Sequence, residues 1–280
     1  RSYLSRTNYG CIGFRKLLVD KLFGDSSICN FTNKTSKILD LKDTGWTIVR
    51  PTEKVELCFK NGKSCPDHLP PHTHSDLLSF DLFKNGVPIL IGCGTSEYEN
   101  GYIRRFERSG SAHNVLQLAL MNNKKELNWI EPIQVWNSFR AGKKAKVISK
   151  IIDLDIDNII SLSAEHNGYS SYLATHRRVL MIHPYCSKDH LFIVKDLIKV
   201  NRLMAWRTWW HLGPSIHPNN LDHLVINSLK NKNVINYYWI KTWYSEGFGK
   251  RNTRFSLCLE GLLEPGEHMN KFVIDLNKIN

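Results

Sequence analysis

From Gly45 onward the chain is a succession of short stretches rich in Val, Ile, Trp, Phe and Tyr, interrupted at close intervals by turn-forming residues. No other feature constrains the fold as strongly, because β-branched and aromatic side chains suit a pleated, half-buried surface and the stretches are too short for helices. Strands are expected at Trp46–Val49, Lys54–Phe59, Ser75–Phe83, Val87–Ile91, Asn114–Met121, Gln134–Arg140, Val147–Ile152, Ile159–Glu165, Thr175–His183, His190–Leu197, Met204–Leu212, Asn236–Trp243 and Thr253–Glu260. Asn85-Gly86 is a strong hairpin signal, since both residues tolerate positive φ. So many strands at such spacing predict a mainly β protein, a large antiparallel β-sandwich; the uneven loops favour stacked sheets over a barrel. Residues 1–42 have another texture. Phe14, Leu17, Leu18, Leu22 and Phe23 recur at near-helical spacing and predict a short N-terminal helical segment ending in a polar loop. The chain is thus expected to divide into a helical end and linker, 1–42, and a β domain, 43–280.

Composition narrows the class. Hydrophobic residues make up 42% of the 280, enough for a sizeable core. No apolar run approaches the roughly 20 residues that span a bilayer as a helix. The opening Arg1-Ser2-Tyr3-Leu4 has neither an initiator Met nor the apolar core of a signal peptide. It reads as a cut into a longer chain, so it says nothing about export. Seven cysteines are scattered without a CxxC pair, which argues against a complete disulfide framework. Cys58 and Cys65 are spaced so that they could bridge in an exported protein. The net charge is +12, which favours a polyanionic partner. Between Gly101 and Lys150 ten lysines and arginines face three acidic residues. No helix-turn-helix, zinc-finger or RNP-type pattern accompanies the charge. Nucleic acid therefore rests on charge alone, and an acidic polysaccharide fits it equally well.

The stretch His72-Thr73-His74-Ser75-Asp76 carries the first hint of a site. On a strand, His72, His74 and Asp76 share one face. Burying two imidazoles and a carboxylate without partners is costly, so they are expected to hydrogen-bond together or to bind a metal or ligand. A third histidine, His113, follows Arg104, Arg105 and Arg108. Arginine grips carboxylates with paired hydrogen bonds, so this grouping suits a carboxylate-bearing sugar. His166 is a further candidate for the cleft. His176-Arg177-Arg178 reads as a strand with a surface basic pair. Trp206, Trp209 and Trp210 read as core, with a sugar-stacking platform as the other reading.

Several ordered motifs together resemble the C-terminal β domain of the heparinase II/III family of polysaccharide lyases. The matching pieces are DTGWTIVRP (43–51), HTHSDLLSFDLFKNGVPILI, GCGTSEYE, RRFERSGSAHNV, VWNSFRAGKKA (135–145), EHNGYSSYLATHRR (165–178), LFIVKDLI (191–198), WWHLGP (209–214) and YSEGFGK (244–250). The resemblance covers roughly residues 43 to 270. It implies a β-sandwich that follows an α/α toroid, of which residues 1–42 would be the end, with the active site between the two domains. It implies β-elimination on a uronic-acid-containing polysaccharide, and a bacterial-type periplasmic or secreted protein. By position, His72 and Tyr98 match cleft residues with catalytic roles, and Arg104, Arg105, Arg108 and His166 are substrate-binding candidates. His74 and His113 match two ligands of a zinc site that is usually structural. The third ligand, an aspartate, has Gly92 in its place here; Asp76 or Cys93 are the possible substitutes. Gly110 and Val115 replace two threonines of the pattern. These departures keep a second reading open, a non-catalytic carbohydrate-binding or polysaccharide-assembly protein on the same fold. Because the resemblance puts the principal base on the toroid, residues 1–280 alone are expected to bind an acidic glycan without cleaving it. Oligomeric state is not legible in the sequence.

Overall fold

The hairpin expected at Asn85-Gly86 is present. Both residues have positive φ, 52° and 75°, and they join two strands whose buried residues face the core. The structure, a computed structural model, describes residues 37–65, 70–122, 126–136, 139–154, 159–183, 191–228 and 230–279. The helix expected over residues 14–23 lies outside them. Of the described residues, 52% are in strands and 14% in helices, and every strand pairing is antiparallel.

The first sheet is a meander of β1 (Lys37–Leu41), β2 (Trp46–Thr52), β3 (Val55–Lys60), β4 (Phe80–Lys84) and β5 (Val87–Leu90), paired in chain order. A short helix, α1 (Tyr102–Arg108), comes next. It leads to β6 (Leu116–Met121) and β7 (Leu127–Trp129), and then to the two-stranded ribbon β8 (Ile133–Val135) and β9 (Ala141–Lys144). The second sheet begins with β10 (Val147–Leu154), β11 (Ile160–His166), β12 (Thr175–Ile182) and β13 (Leu191–Val200). After these come β14 (Met204–His211), the helix α2 (Asp222–Ser228), β15 (Asn236–Tyr244), β16 (Asn252–Leu263) and β17 (Gly266–Asp275). β17 closes the second sheet beside β13, and the third sheet has the order β15-β16-β14-β6-β7.

The three large sheets share one apolar core. Leu57 and Phe59 from the first sheet, Leu162, Leu180 and Phe272 from the second, and Trp206 and Leu257 from the third belong to it. Phe80 sits at their junction, with ring centroids 5.2 Å from Phe192 and 5.9 Å from Trp210. Edge-on aromatic contacts of this kind add to the area they bury. Trp206, Trp209 and Trp210 are all buried, so the sugar-platform reading of these tryptophans does not hold. Cys58 and Cys65 are free thiols and form no bridge.

Two expected strands are corrected. Ser75–Phe83 begins only at Phe80, because residues 70–72 form a 3₁₀ turn and Leu78 has φ 62°, a backbone bend that no strand accommodates. Of Gln134–Arg140, only Gln134 and Val135 lie in a strand, β8, among the described residues. Lys37–Leu41, which the sequence reading leaves in the leading segment, pairs with β2 from Lys37↔Arg50 to Leu41↔Trp46.

The first and third sheets meet where Leu90 bridges Leu212. Next to that bridge a Cβ on Gly213 would lie 1.8 Å from the Pro88 carbonyl oxygen, while its N–H donates to Ile89 at 2.9 Å. The obstacle is backbone on both sides. Gly213→Ala is therefore expected to lower stability by about 1–3 kcal/mol, the usual cost of overpacking. Urea unfolding measures it, and a loss under about 0.5 kcal/mol, the scale of an ordinary surface change, would show that the sheets can separate locally.

Candidate active site

The site is assembled by the loop that enters β4. Thr73–Leu77 pairs with no strand before Leu78 and Ser79 bond Lys60 of β3, so its backbone groups need other partners. Arg108 of α1 supplies them: its Nε donates to the Thr73 carbonyl at 2.9 Å, and its own carbonyl accepts from the Ser75 N–H at 2.8 Å. Arg104 Nη2 donates to the Pro71 carbonyl at 3.0 Å. From the opposite side, Arg178 Nη1 donates to Leu78 O at 2.9 Å and to Asn114 O at 2.6 Å. Asn114 joins the strands beneath, giving its Nδ2 to Phe80 O at 2.9 Å and taking the His211 N–H at 2.7 Å.

These bonds bring the histidines together. His74 Nδ1 lies 3.2 Å from His113 Nε2, and that nitrogen lies 3.2 Å from the Glu107 carbonyl oxygen. The other face of His74 meets Arg104, Nε2 to Nη1 3.5 Å. Burial holds the His74 imidazole well below the ordinary histidine range, and His113, Arg104, Arg108 and Lys60 push it the same way. Burial also brings the Arg108 guanidinium down to about 10, with Arg104 adding to the effect. His72 is exposed, and its ring meets Tyr98 edge-on at 6.1 Å. The Arg104 guanidinium lies over the Tyr98 ring at 4.8 Å, a cation–π contact that fixes the phenol's direction.

His72, His74, Tyr98, Arg104 and His113 line one pocket of about 440 Å³. Its floor and far wall include Lys60, Asp76, Asp81 and Tyr244. Asp81 accepts the Gly92 N–H at 2.9 Å, and the Asp76 Oδ1 is buried with no hydrogen-bond partner among the described residues. Tyr98 also forms part of a neighbouring hollow of about 750 Å³. There it stacks on Phe248 at 5.6 Å and on Phe139 at 6.1 Å. Phe139 and Phe248 are 57% and 65% exposed, which is uncommon for phenylalanine and marks an aromatic wall open to solvent.

The remaining candidates lie elsewhere. Arg105 is exposed on α1 and outside the pocket lining, and Arg108 is buried with its guanidinium turned to the loop. His166 is buried against Tyr169 and His176, with ring centroids at 5.1 and 5.5 Å, and does not line the pocket. The surface basic pair is half wrong. Arg177 is partly exposed and bonds Glu165 at 2.9 Å, whereas Arg178 is fully buried. Strand parity carries the correction, since 176 and 178 share the inner face. Lys60, Asp81 and Tyr244 gave no sequence signal as site residues, because each sits in an ordinary strand. Phe248 did have one, an aromatic residue between two glycines.

The sequence profile described as Heparinase II/III-like, C-terminal, matches residues 33–268. The chain belongs to that family. Among solved structures, the heparan sulfate lyase HepC from Pedobacter heparinus is 16% identical with a TM-score of 0.56, over 84% of this chain and 35% of that one. A heparinase III gene product is 15% identical with a TM-score of 0.55, over 93% and 39%. Another heparinase III structure gives 13% and 0.55, over 88% and 37%. At such identities the likeness is one of fold, and the chain spans well under half the length of these relatives. A search of curated protein sequences finds no match. Among the described residues no helix of this heparinase II/III-like domain is long and apolar enough to cross a membrane.

The zinc site implied by the sequence resemblance can be tested against the donors present. Structural zinc takes four ligands, mostly Cys and His. His74 and His113 supply two, Gly92 none, and no three His, Cys, Asp or Glu side chains converge among the described residues. Cys93 Sγ faces the carbonyls of Gly94 and Glu107, at 3.2 and 3.6 Å. The donor set does not fit zinc.

Proposed function

We propose that this domain forms one wall of the cleft of a polysaccharide lyase acting on a uronic-acid-containing polysaccharide. The observation that supports it best is the convergence of His72, Tyr98 and Arg104 on one pocket, beside an exposed aromatic wall. β-Elimination needs a base for the proton on C5, a donor for the oxygen leaving C4, and positive charge or hydrogen bonds at the carboxylate. As the C5–H bond breaks, its electrons form the C4–C5 double bond and the C4–O bond opens. In this reading His72, exposed, and Tyr98, half-buried, are the proton-handling groups of this wall, and the principal base would come from the part of the relatives that this chain does not span. Arg104 sits behind Tyr98 and adds positive charge to the pocket. Phe139 and Phe248 offer flat faces to sugar rings. The length of the relatives that this chain does not span would supply the opposite wall. An acidic polysaccharide substrate places the action in the periplasm or outside the cell.

The test is a panel of heparan sulfate, alginate and hyaluronan, with neutral dextran as control. Binding to an acidic member is expected, and it should weaken as salt rises, since exposed charges are screened over roughly 8–10 Å at physiological ionic strength. The intact protein is expected to release product carrying the new double bond, read by ultraviolet absorbance. Binding without product from the intact protein would favour the non-catalytic reading, which the loss of the third zinc ligand at Gly92 keeps in view. Equal retention of dextran would sink both.

A further inference from the structure

The contact between His74 and His113 admits two explanations. Ring nitrogens 3.2 Å apart are at hydrogen-bonding distance, and two ligands of one tetrahedral ion would stand at nearly the same separation, given Zn–N bonds of roughly 2.0–2.1 Å. The surroundings decide between them. An ion there would have two protein side chains, fewer than the three or four that zinc takes. Among the described residues no third His, Cys, Asp or Glu completes a metal-holding group with the pair, while Arg104 Nη1 stands 3.5 Å from His74 Nε2.

The space that the missing ligand would need has also been closed. A Cβ on Gly92 would lie 2.9 Å from His113 Nδ1 and 3.8 Å from Asp81 Oδ1. The His113 ring therefore occupies the room an aspartate side chain at position 92 would enter. Its Nε2 faces the Glu107 carbonyl at 3.2 Å, a group that only accepts. The proton of His113 is then assigned to Nε2, and a nitrogen that carries a proton has no lone pair for a metal. The same N–H reaches His74 Nδ1, so the lone pair of His74 on that side is already engaged.

We propose that the metal centre of this family has been replaced in this chain by a metal-free imidazole pair, in which His113 Nε2–H donates to His74 Nδ1 and to the Glu107 carbonyl. The replacement follows from Gly92: with the carboxylate gone, the ring of His113 moves into its place and a shared proton does the ion's work of tying α1 to the loop before β4. The proposal rests on the family assignment and not on catalysis, and its readouts need no substrate, so failure of the lyase reading would leave them standing.

The protein purified with excess zinc sulfate and then desalted is expected to hold far less than stoichiometric zinc by elemental analysis. Its thermal midpoint should not move with EDTA. The ¹⁵N shifts of His74 and His113 should not change on adding zinc. Gly92→Asp is expected to acquire near-stoichiometric zinc with a rise in thermal midpoint that EDTA reverses. Because that variant must first displace the His113 ring, the wild-type measurements stand by themselves. Stoichiometric zinc in the wild type that His74→Ala removes, or zinc-induced shifts at both rings, would overturn the proposal.

Discussion

Arg178→Met is expected to cost about 3–5 kcal/mol of stability, the usual result of removing one partner from a buried ion pair. Arg178 and Asp196 are both buried and joined by two bonds, Nε to Oδ1 at 2.8 Å and Nη2 to Oδ2 at 3.0 Å. His176 Nε2 adds a third contact to Asp196 at 2.7 Å. Burial alone would raise the Asp196 carboxyl, but Arg178 and His176 hold it below the usual carboxylate range. Methionine fills the stem of the arginine and leaves that carboxylate in the interior without its main partner. It also strips Leu78 and Asn114 of the donor to their carbonyls, which places the loss toward the upper end of that range. Urea unfolding reads the loss, and a value under about 1 kcal/mol, the scale of an exposed pair, would show that water reaches the network. Adding Asp196→Leu to Arg178→Met should recover part of the loss, since replacing both members of a buried pair is far milder than replacing one. The sign with pH follows from a depressed carboxyl. Its contribution is complete above the unfolded value, about 3.9, and fades as pH falls from there toward the folded value.

Arg178 also shows where sequence reasoning reached and where it stopped. Periodicity of two is a local property, and it located most strands of all three sheets, because apolar alternation and turn residues act within a few positions. It overlooked β17, although Gly266–Asp275 alternates from exposed to buried over its second half, since His, Met, Asn and Lys dilute the pattern. The histidine site was a different case. His72, His74 and Asp76 were grouped because a strand would put them on one face, yet no strand exists there. The grouping nevertheless holds, for a reason no short window contains: Arg104 and Arg108 bind the carbonyls of Pro71 and Thr73, and Arg178 binds Leu78 from another sheet. The family resemblance supplied the pairing of His74 with His113, which spacing could not. The same resemblance is silent on the buried role of Arg108, since a run of basic residues on a short helix looks like surface until something takes up its donors.

Tyr98→Phe is expected to slow formation of unsaturated product by the intact protein about 10²–10⁴-fold, the span attributed to a general acid or base. His72→Gln should fall in the same range. Phenylalanine keeps the ring, and with it the contacts to Phe248 and Phe139 and the Arg104 guanidinium above its face. Only the hydroxyl leaves, so the thermal midpoint and glycan affinity should hold while kcat falls. His72 is exposed, and its replacement should likewise spare the fold. Arg105→Gln serves as the control, because it removes a charge from the same helix outside the pocket and should alter only the salt dependence of binding. The distinction between kcat and KM carries the argument: a residue that merely helps hold the glycan would raise KM and leave kcat, whereas a group that moves a proton at the reacting carbon acts only in the transition state. If Tyr98→Phe retained kcat within a few-fold while KM rose, Tyr98 would belong to the aromatic wall that receives the sugar. The proton would then have to be handled by His72 or by the part of the cleft this chain does not span.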